Sequence, residues 1–170
     1  GQNTGGQGLL NVSGGQMNVF NWLAIGRAGA TGTVNLGGGV LNKLGVNHTV
    51  VGSLGGIGTV TQTGGDFNST AAADAGGFGG IRLGENAGGT GTWDISGGTA
   101  SADFISVGWT GGGTGLLTID GTAAVNAAFC LLVSEGGTGV VDHKGGGFTL
   151  GGQDSIIGFG AGLTGTYLMK

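Results

Sequence analysis

The sequence has no proline, a single cysteine and few charged residues. Cys130 has no second cysteine with which to pair, so an intramolecular disulfide framework is excluded. Only 8% of the residues are charged, and nine acidic residues outnumber five Lys and Arg, which gives a formal net charge of −4. Binding to nucleic acid needs clustered cations that neutralise phosphates, so we expect no nucleic-acid partner. No apolar run approaches the ~20 residues of a transmembrane helix, so we expect no membrane span.

Glycine is abundant, with 47 of the 170 positions. Collagen is excluded because proline is absent and glycine does not recur at every third residue. The chain is also unlike a disordered linker, since 38% of its residues are hydrophobic and these fall at regular positions. We therefore interpret the glycines as turn residues and as points where two backbones approach closely.

A short motif recurs along the whole chain. Each copy begins with a glycine, continues as a strand of alternating apolar and polar residues, and is followed in most copies by a Gly-Gly turn. Such alternation predicts a half-buried β-strand. A repeat of about 24 residues is typical of a solenoid. The copies begin at Gly8, Gly32, Gly58, Gly91, Gly115, Gly139 and Gly165.

Two further apolar segments complete most units, and the last of them contains Val51 in one unit and Val107 in another. The sequence thus predicts an all-β fold, a parallel β-helix (β-solenoid) of about six coils of ~24 residues, with three short strands per coil. We expect it to form a single domain over residues 1–170. One interval between repeat glycines is longer, so we expect an insertion loop near residues 71–80. An up-and-down barrel or a β-sandwich is the competing all-β interpretation.

The segment that starts at Gly88 reads GGTGTWDISGG and is followed by ISVG, which ends at Gly108. It resembles the Gly-rich repeats of bacterial surface proteins, namely the autotransporter-associated β-strand repeats and the related repeats of proteins that carry PEP-CTERM sorting signals. The resemblance covers nearly the whole chain. It implies a β-solenoid and an exported role at the cell surface or in the extracellular matrix.

Parallel β-helices include polysaccharide lyases and hydrolases, in which clustered carboxylates would indicate an active site. Asp94 and Asp142 share a column of the repeat but stand two coils apart. Asp120 and Lys144 share a phase in successive coils, which predicts a surface ion pair. His143 falls at an inward phase, and we expect it to be hydrogen-bonded rather than to bind a metal. We therefore expect no catalytic residue, no metal site and no cofactor.

The repeat pattern begins and ends within a coil and includes no capping helix. The end coils of a solenoid expose core side chains and unpaired strand edges, so we expect them to be continued by further coils or covered by other subunits. The expected subunit interface at the terminal coils contains Leu10, Val12, Tyr167, Leu168 and Met169. Outward apolar and aromatic residues predict lateral or ligand contacts at Trp22, Val50, Phe78, Trp109, Leu132 and Ile156.

These features favour a non-enzymatic structural protein that is exported and assembles head-to-tail into an extracellular filament or a surface layer. Its partners would be copies of itself, in a homopolymer, and extracellular polysaccharide. Its location would be extracellular or at the cell surface. The alternative is an adhesin or carbohydrate-binding stalk that uses Trp22, Trp109 and the segment around Phe78, and a polysaccharide lyase is a third, less favoured hypothesis.

Overall fold

Alternating apolar and polar residues form β-strands throughout the part of the chain that the structure, a computed structural model, describes. This part comprises residues 1–70 and 79–170. All the regular secondary structure within it is β-strand, which confirms the all-β prediction. The strands are β1 (Gln7–Val19), β2 (Leu23–Arg27), β3 (Thr31–Lys43), β4 (Thr49–Ser53), β5 (Ile57–Gln62), β6 (Asp66–Ser69), β7 (Gly80–Glu85), β8 (Thr90–Ile95), β9 (Thr99–Val107), β10 (Thr114–Ile119), β11 (Ala124–Val133), β12 (Thr138–His143), β13 (Gly147–Leu150), β14 (Ile156–Ile157) and β15 (Gly165–Met169).

The strands wind into a three-sided parallel β-helix. The first face contains β5, β8, β10, β12 and β15 with the first parts of β1 and β3. The second face contains β6 and β13, the later parts of β1 and β3, and the first parts of β9 and β11. The third face contains β2, β4, β7 and β14 with the later parts of β9 and β11. All these pairings are parallel, so the predicted β-solenoid of about six coils is confirmed.

Successive coils are stacked in the register that the sequence repeat predicts. The glycine that opens each copy pairs with the glycine that opens the next, from Gly8 and Gly32 at one end to Gly139 and Gly165 at the other. At the usual spacing of parallel strands, six coils extend over roughly 30 Å along the rod axis. The expected insertion lies between β6 and β7, but residues 71–78 of that stretch, Phe78 included, lie outside the described residues.

Columns of apolar side chains fill the interior. Val60, Trp93 and Leu117 stack in successive strands of the first face and are fully buried. The Trp93 ring packs against Phe67 of the second face, with 4.8 Å between ring centroids. Because each coil contributes similar side chains at the same positions, one continuous hydrophobic core runs along the rod.

The corner where the third face leads back to the first brings two backbones together. Gly52 has a φ of 71°, and a Cβ atom built there would lie 1.9 Å from the carbonyl oxygen of Thr90. A Cβ atom on Gly91 would lie 2.0 Å from the carbonyl oxygen of Val51. Side chains cannot be accommodated at these distances, so the corner requires glycine. Where Ser134 takes the place of a corner glycine, its hydroxyl donates to the Thr164 carbonyl and accepts from Gly139 N.

The corner contacts predict that Gly91→Ala destabilises the protein by about 3 kcal/mol or more, because the added methyl group overlaps backbone atoms that cannot move independently of the stacked coils. Thermal unfolding followed by circular dichroism measures the effect. Gly14→Ala is the matched control, since a Cβ atom there meets nothing within 4 Å. Equal stability of the two variants would contradict this account of the corner.

Leu54 also has a left-handed backbone, with a φ of 52°, although its side chain is a branched hydrocarbon. Asn86 occupies the equivalent turn of the next coil with a φ of 61°. Asn tolerates this conformation better than Leu, so Leu54→Asn is expected to stabilise the protein by about 0.5–1 kcal/mol. Val46→Asn is the control, because Val46 is also exposed but does not have a positive φ. An unfolding temperature that rises no more for Leu54→Asn than for Val46→Asn would contradict the prediction.

Candidate functional site

The first coil exposes a side chain from a column that the inner coils bury. Met17 is 40% exposed, whereas its column neighbours Leu41 and Phe67 are completely buried. The expected interface residues behave differently, since Val12 is buried and Leu10 is half-buried against the core. Their side chains point inward and pack in the core next to the second coil, where Val34 pairs with Leu10 and Leu36 pairs with Val12. The surface offered by this end therefore comes from Met17 more than from the residues that sequence reasoning selected.

The last coil shows the same feature on two faces. Ile157 is 52% exposed although its column neighbour Val133 is completely buried. Met169 is 74% exposed at the end of β15, where it pairs with His143. Of the other residues expected at this end, Leu168 is exposed and Tyr167 is half-buried. Both ends of the rod thus present core columns that a further coil would cover.

Charge is distributed unequally along the rod. Residues 1–65 contain Arg27 and Lys43 and no acidic residue, whereas all nine acidic residues and the other three cations lie in residues 66–170. Lys43 is fully buried in the solenoid, and its Nζ donates to the Gly45 carbonyl at 3.0 Å. Burial lowers the pKa of Lys43, while the attraction of Asp103 opposes that change. The first coils are therefore weakly positive, the middle of the rod is negative, and in residues 139–170 the two acidic side chains are balanced by two lysines.

A small ionic cluster lies on the first face at the C-terminal end. Asp142 pairs with Lys170 at 3.0 Å and with Lys144 at 3.4 Å. The predicted pair of Asp120 with Lys144 is wrong, because Asp120 instead accepts a hydrogen bond from Gly121 N in its own turn. The hydrogen bond from Lys170 is the main reason why the pKa of Asp142 is lowered, and Lys144 adds to the effect.

Two expectations about polar residues of the first face are confirmed. His143 is hydrogen-bonded, with 2.9 Å between its Nδ1 and the Tyr167 hydroxyl. Asp94 and Asp142 share a column, and Thr118 stands between them. Among the described residues no group of three or more His, Cys, Asp or Glu side chains is arranged to hold a metal ion.

Outward side chains of a different character gather on the third face, in two neighbouring columns. All the described residues for which we expected lateral or ligand contacts lie on this face, and Trp22 lies at the edge of the face. The inner column contains Ala24, Val50, Arg82, Ser106, Leu132 and Ile156. The outer column follows the corner position of each coil and contains Arg27, Ser53, Glu85, Trp109, Glu135 and Phe159.

Arg82 is the centre of this surface. Its Nη1 lies 3.1 Å from Glu85 Oε1, and its guanidinium carbon lies 3.5 Å from the centroid of the Trp109 ring. Burial lowers the pKa of Arg82, and the hydrogen bond with Glu85 opposes that change. The stacked guanidinium holds the Trp109 indole in place and aligns it with the columns.

Next to Arg82, toward the first coil, is a groove of about 320 Å³, which we call the N-terminal groove. Val50 was expected to be an exposed lateral contact, but it is only 1% exposed. It points away from the core, yet it forms the floor of this groove between longer side chains and so offers no apolar patch. The lining residues are Asn21, Trp22, Asn47, His48, Val50, Arg82 and Glu85.

A second groove, of about 540 Å³, lies on the same face near the last coils. Leu132 and Ile156 form its apolar part, as the sequence predicts for lateral contacts, and Phe159 and Glu135 stand beside them. Cys130 also lines it. Burial and the nearby Glu135 raise the pKa of the Cys130 thiol, so at neutral pH it is a poor nucleophile.

Comparison with known proteins finds no family model that matches the chain, no similar curated protein and no similar solved structure. Within residues 1–70 and 79–170, no helix has the length and apolar character needed to cross a membrane.

The ionic cluster predicts a pH-dependent stability. Because the folded pKa of Asp142 lies below its ordinary value of 3.8, its stabilisation is present above that value and is lost as the pH falls through the folded pKa. Asp142→Asn should therefore unfold at a lower temperature than the parent at about pH 6, and at the same temperature near pH 2. Asp94→Asn, in the same column but without an ion pair among the described residues, is the control. A difference that persists at low pH would contradict the assignment.

Proposed function

We propose that the protein is a non-enzymatic structural protein that is exported and assembles head-to-tail into an extracellular filament or surface layer. The observation that carries the proposal is the exposure of core columns at both ends of the rod. Met17 at one end, with Ile157 and Met169 at the other, lies in columns whose inner members are buried. A second copy stacked on either end would cover these side chains as an additional coil does.

Backbone geometry favours the head-to-tail arrangement. Every described strand pairing between coils is parallel, and the free edge of β1 has the same direction as the free edges of β13, β14 and β15. A copy that adds head-to-tail extends these ladders by further parallel pairing. A head-to-head contact would require antiparallel pairing and would place like ends together. Repeated head-to-tail addition is a heterologous contact, which produces an open filament when it does not close.

Charge disfavours the head-to-head alternative at the N-terminal end. Two N-terminal ends would bring the weakly positive first coils together, whereas the last coil offers no net charge of side chains, because Asp142 and Asp154 are balanced by Lys144 and Lys170. Since only 8% of the residues are charged, repulsion between lateral surfaces is also small.

Ladders of hydrogen-bonded asparagine side chains would stabilise the fibre against heat and proteases. Asn42 donates from Nδ2 to Oδ1 of Asn18 at 2.9 Å, and Asn68 donates to Asn42 at the same distance. A parallel ladder joins Asn35 to Asn11 at 2.8 Å on the first face. Stacked identical amides of this kind strengthen cross-β assemblies, and with the buried aliphatic columns they would resist heat and proteases.

The proposed location, extracellular or at the cell surface, rests on the resemblance to bacterial surface repeats. A filament there would contact itself as a homopolymer and the polysaccharide of its surroundings. A polysaccharide lyase is less well supported, because Asp94 and Asp142 have Thr118 between them and a stacked pair of catalytic carboxylates is not formed there. The adhesin alternative rests on the aromatic side chains of the third face.

Variants that block one end test the assembly. Met17→Lys places a charge on the first coil, and Ile157→Lys combined with Met169→Lys places charges on the last. Each is expected to remain monomeric at concentrations at least about tenfold above those at which the parent forms filaments, because a charge would be buried in the new contact. Negative-stain electron microscopy and light scattering over a concentration series measure the outcome.

A mixture of the two blocked variants distinguishes the arrangements. Head-to-tail contact predicts dimers in the 1:1 mixture and monomers in each variant alone, whereas head-to-head contact predicts dimers of one variant alone. Ile57→Lys is the matched control, since Ile57 is exposed in the middle of the rod and should leave assembly unchanged. Parent protein that stays as single short rods at every concentration would overturn the proposal.

A further inference from the structure

We propose that the two outward columns of the third face form an elongated binding site for a neutral polysaccharide chain. This site would act whether the protein is a single rod or part of a filament, so it does not rest on the proposed assembly. The first support for this proposal is that outward aromatic side chains are grouped on one face. Trp22, Trp109 and Phe159 lie outward on or beside this face, whereas the first face shows mainly threonines and the second mainly asparagines and other small side chains.

The aromatic side chains provide stacking surfaces at three levels of the rod. Trp22 belongs to the first coil, Trp109 to the fourth and Phe159 to the sixth. The apolar CH faces of sugar rings pack against aromatic rings, and this packing adds to affinity without requiring charge. Trp22 and Phe159 are substantially exposed, at 39% and 52%, so their rings are accessible.

Polar groups with fixed positions stand beside these rings. Trp22 has the Arg27 guanidinium 4.6 Å from its ring centroid, and Trp109 has Arg82 in the same relation. In the N-terminal groove, the side-chain amide of Asn47 donates to Asn21, which fixes its orientation. Planar amides, guanidinium groups and carboxylates are the side chains that recognise hydroxyl pairs by directed hydrogen bonds.

The charge of the face selects a neutral chain. Arg27 and Arg82 are its cations, and Glu85, Glu135 and Asp154 are its acidic residues. Glu85 already pairs with Arg82, so no free cluster of cations is left for a polyanion. The carboxylates near the last coils would repel uronic acids or sulfated sugars.

The elongated shape of the face favours binding of a polymer over binding of a single sugar. The two columns run parallel to the rod axis from the first coil to the sixth, and the five spacings between these coils correspond to about 24 Å. The two grooves lie toward opposite ends of this stretch, with Arg82 and Trp109 between them. A single sugar would occupy only one groove, whereas an extended oligosaccharide of several rings would contact all three aromatic side chains.

The test measures binding of the monomeric Met17→Lys protein and of the parent to immobilised glucan, mannan and polygalacturonate, followed by calorimetry with the matching soluble hexasaccharide. We expect binding to a neutral glycan in both proteins. Trp22→Ala and Phe159→Ala should each weaken it at least about tenfold, because each removes one stacking surface. Trp22→Phe keeps a ring and should retain most of the affinity.

Ile57→Ala on the first face is the control and should leave binding unchanged. Unfolding temperatures within a few degrees of the parent would establish that the aromatic variants are folded. The proposal is overturned by an absence of binding to every neutral glycan, by a preference for polygalacturonate, or by affinities that Trp22→Ala and Phe159→Ala do not change. Filaments without glycan binding would refute this inference alone, and glycan binding by permanent monomers would refute the assembly alone.

Discussion

Parallel, in-register backbone pairing between successive coils is the constraint on which the rest of the structure depends. Each strand pairs with the equivalent strand about one repeat away, so the spacing of the turns must be the same in each coil or be absorbed by an insertion. It also brings backbones so close at one corner that Gly52 and Gly91 cannot carry a side chain. The glycines of this corner are therefore a consequence of stacking, and the apolar columns follow from the same register.

Once the register is set, the three faces can differ freely in their outward residues. The first face carries threonines, the second carries the longest asparagine ladder, and the third carries stacked Arg and Trp side chains. Because outward residues contribute little to the core, such differences cost little stability. The chemistry that could recognise another molecule is concentrated on one side, while the ends retain the exposed core columns.

Sequence reasoning predicted the coils, the register of the glycines and most of the inward columns, because all of these follow from periodicity. It failed where side chains leave the pattern. Val50 is outward as predicted, yet longer side chains from adjacent coils cover it. The conformations of those side chains cannot be read from the repeat pattern. Asp120 accepts a hydrogen bond from the backbone of its own turn, and Lys144 pairs with Asp142 instead. The buried Lys43 was a missed signal, since it stands two residues after the inward Leu41 in the same strand.

Coil-to-coil contact has a consequence for how such a chain can change in length. Each coil touches mainly the coils before and after it, so the molecule behaves as a one-dimensional array of nearest neighbours. Duplication of one unit, for example residues 91–114, would insert a coil whose upper and lower surfaces already match those of its neighbours. Mutation by whole units therefore preserves the fold, whereas loss of a few residues shifts every later column. Length in this architecture can vary in steps of one coil, with little change in the character of any surface.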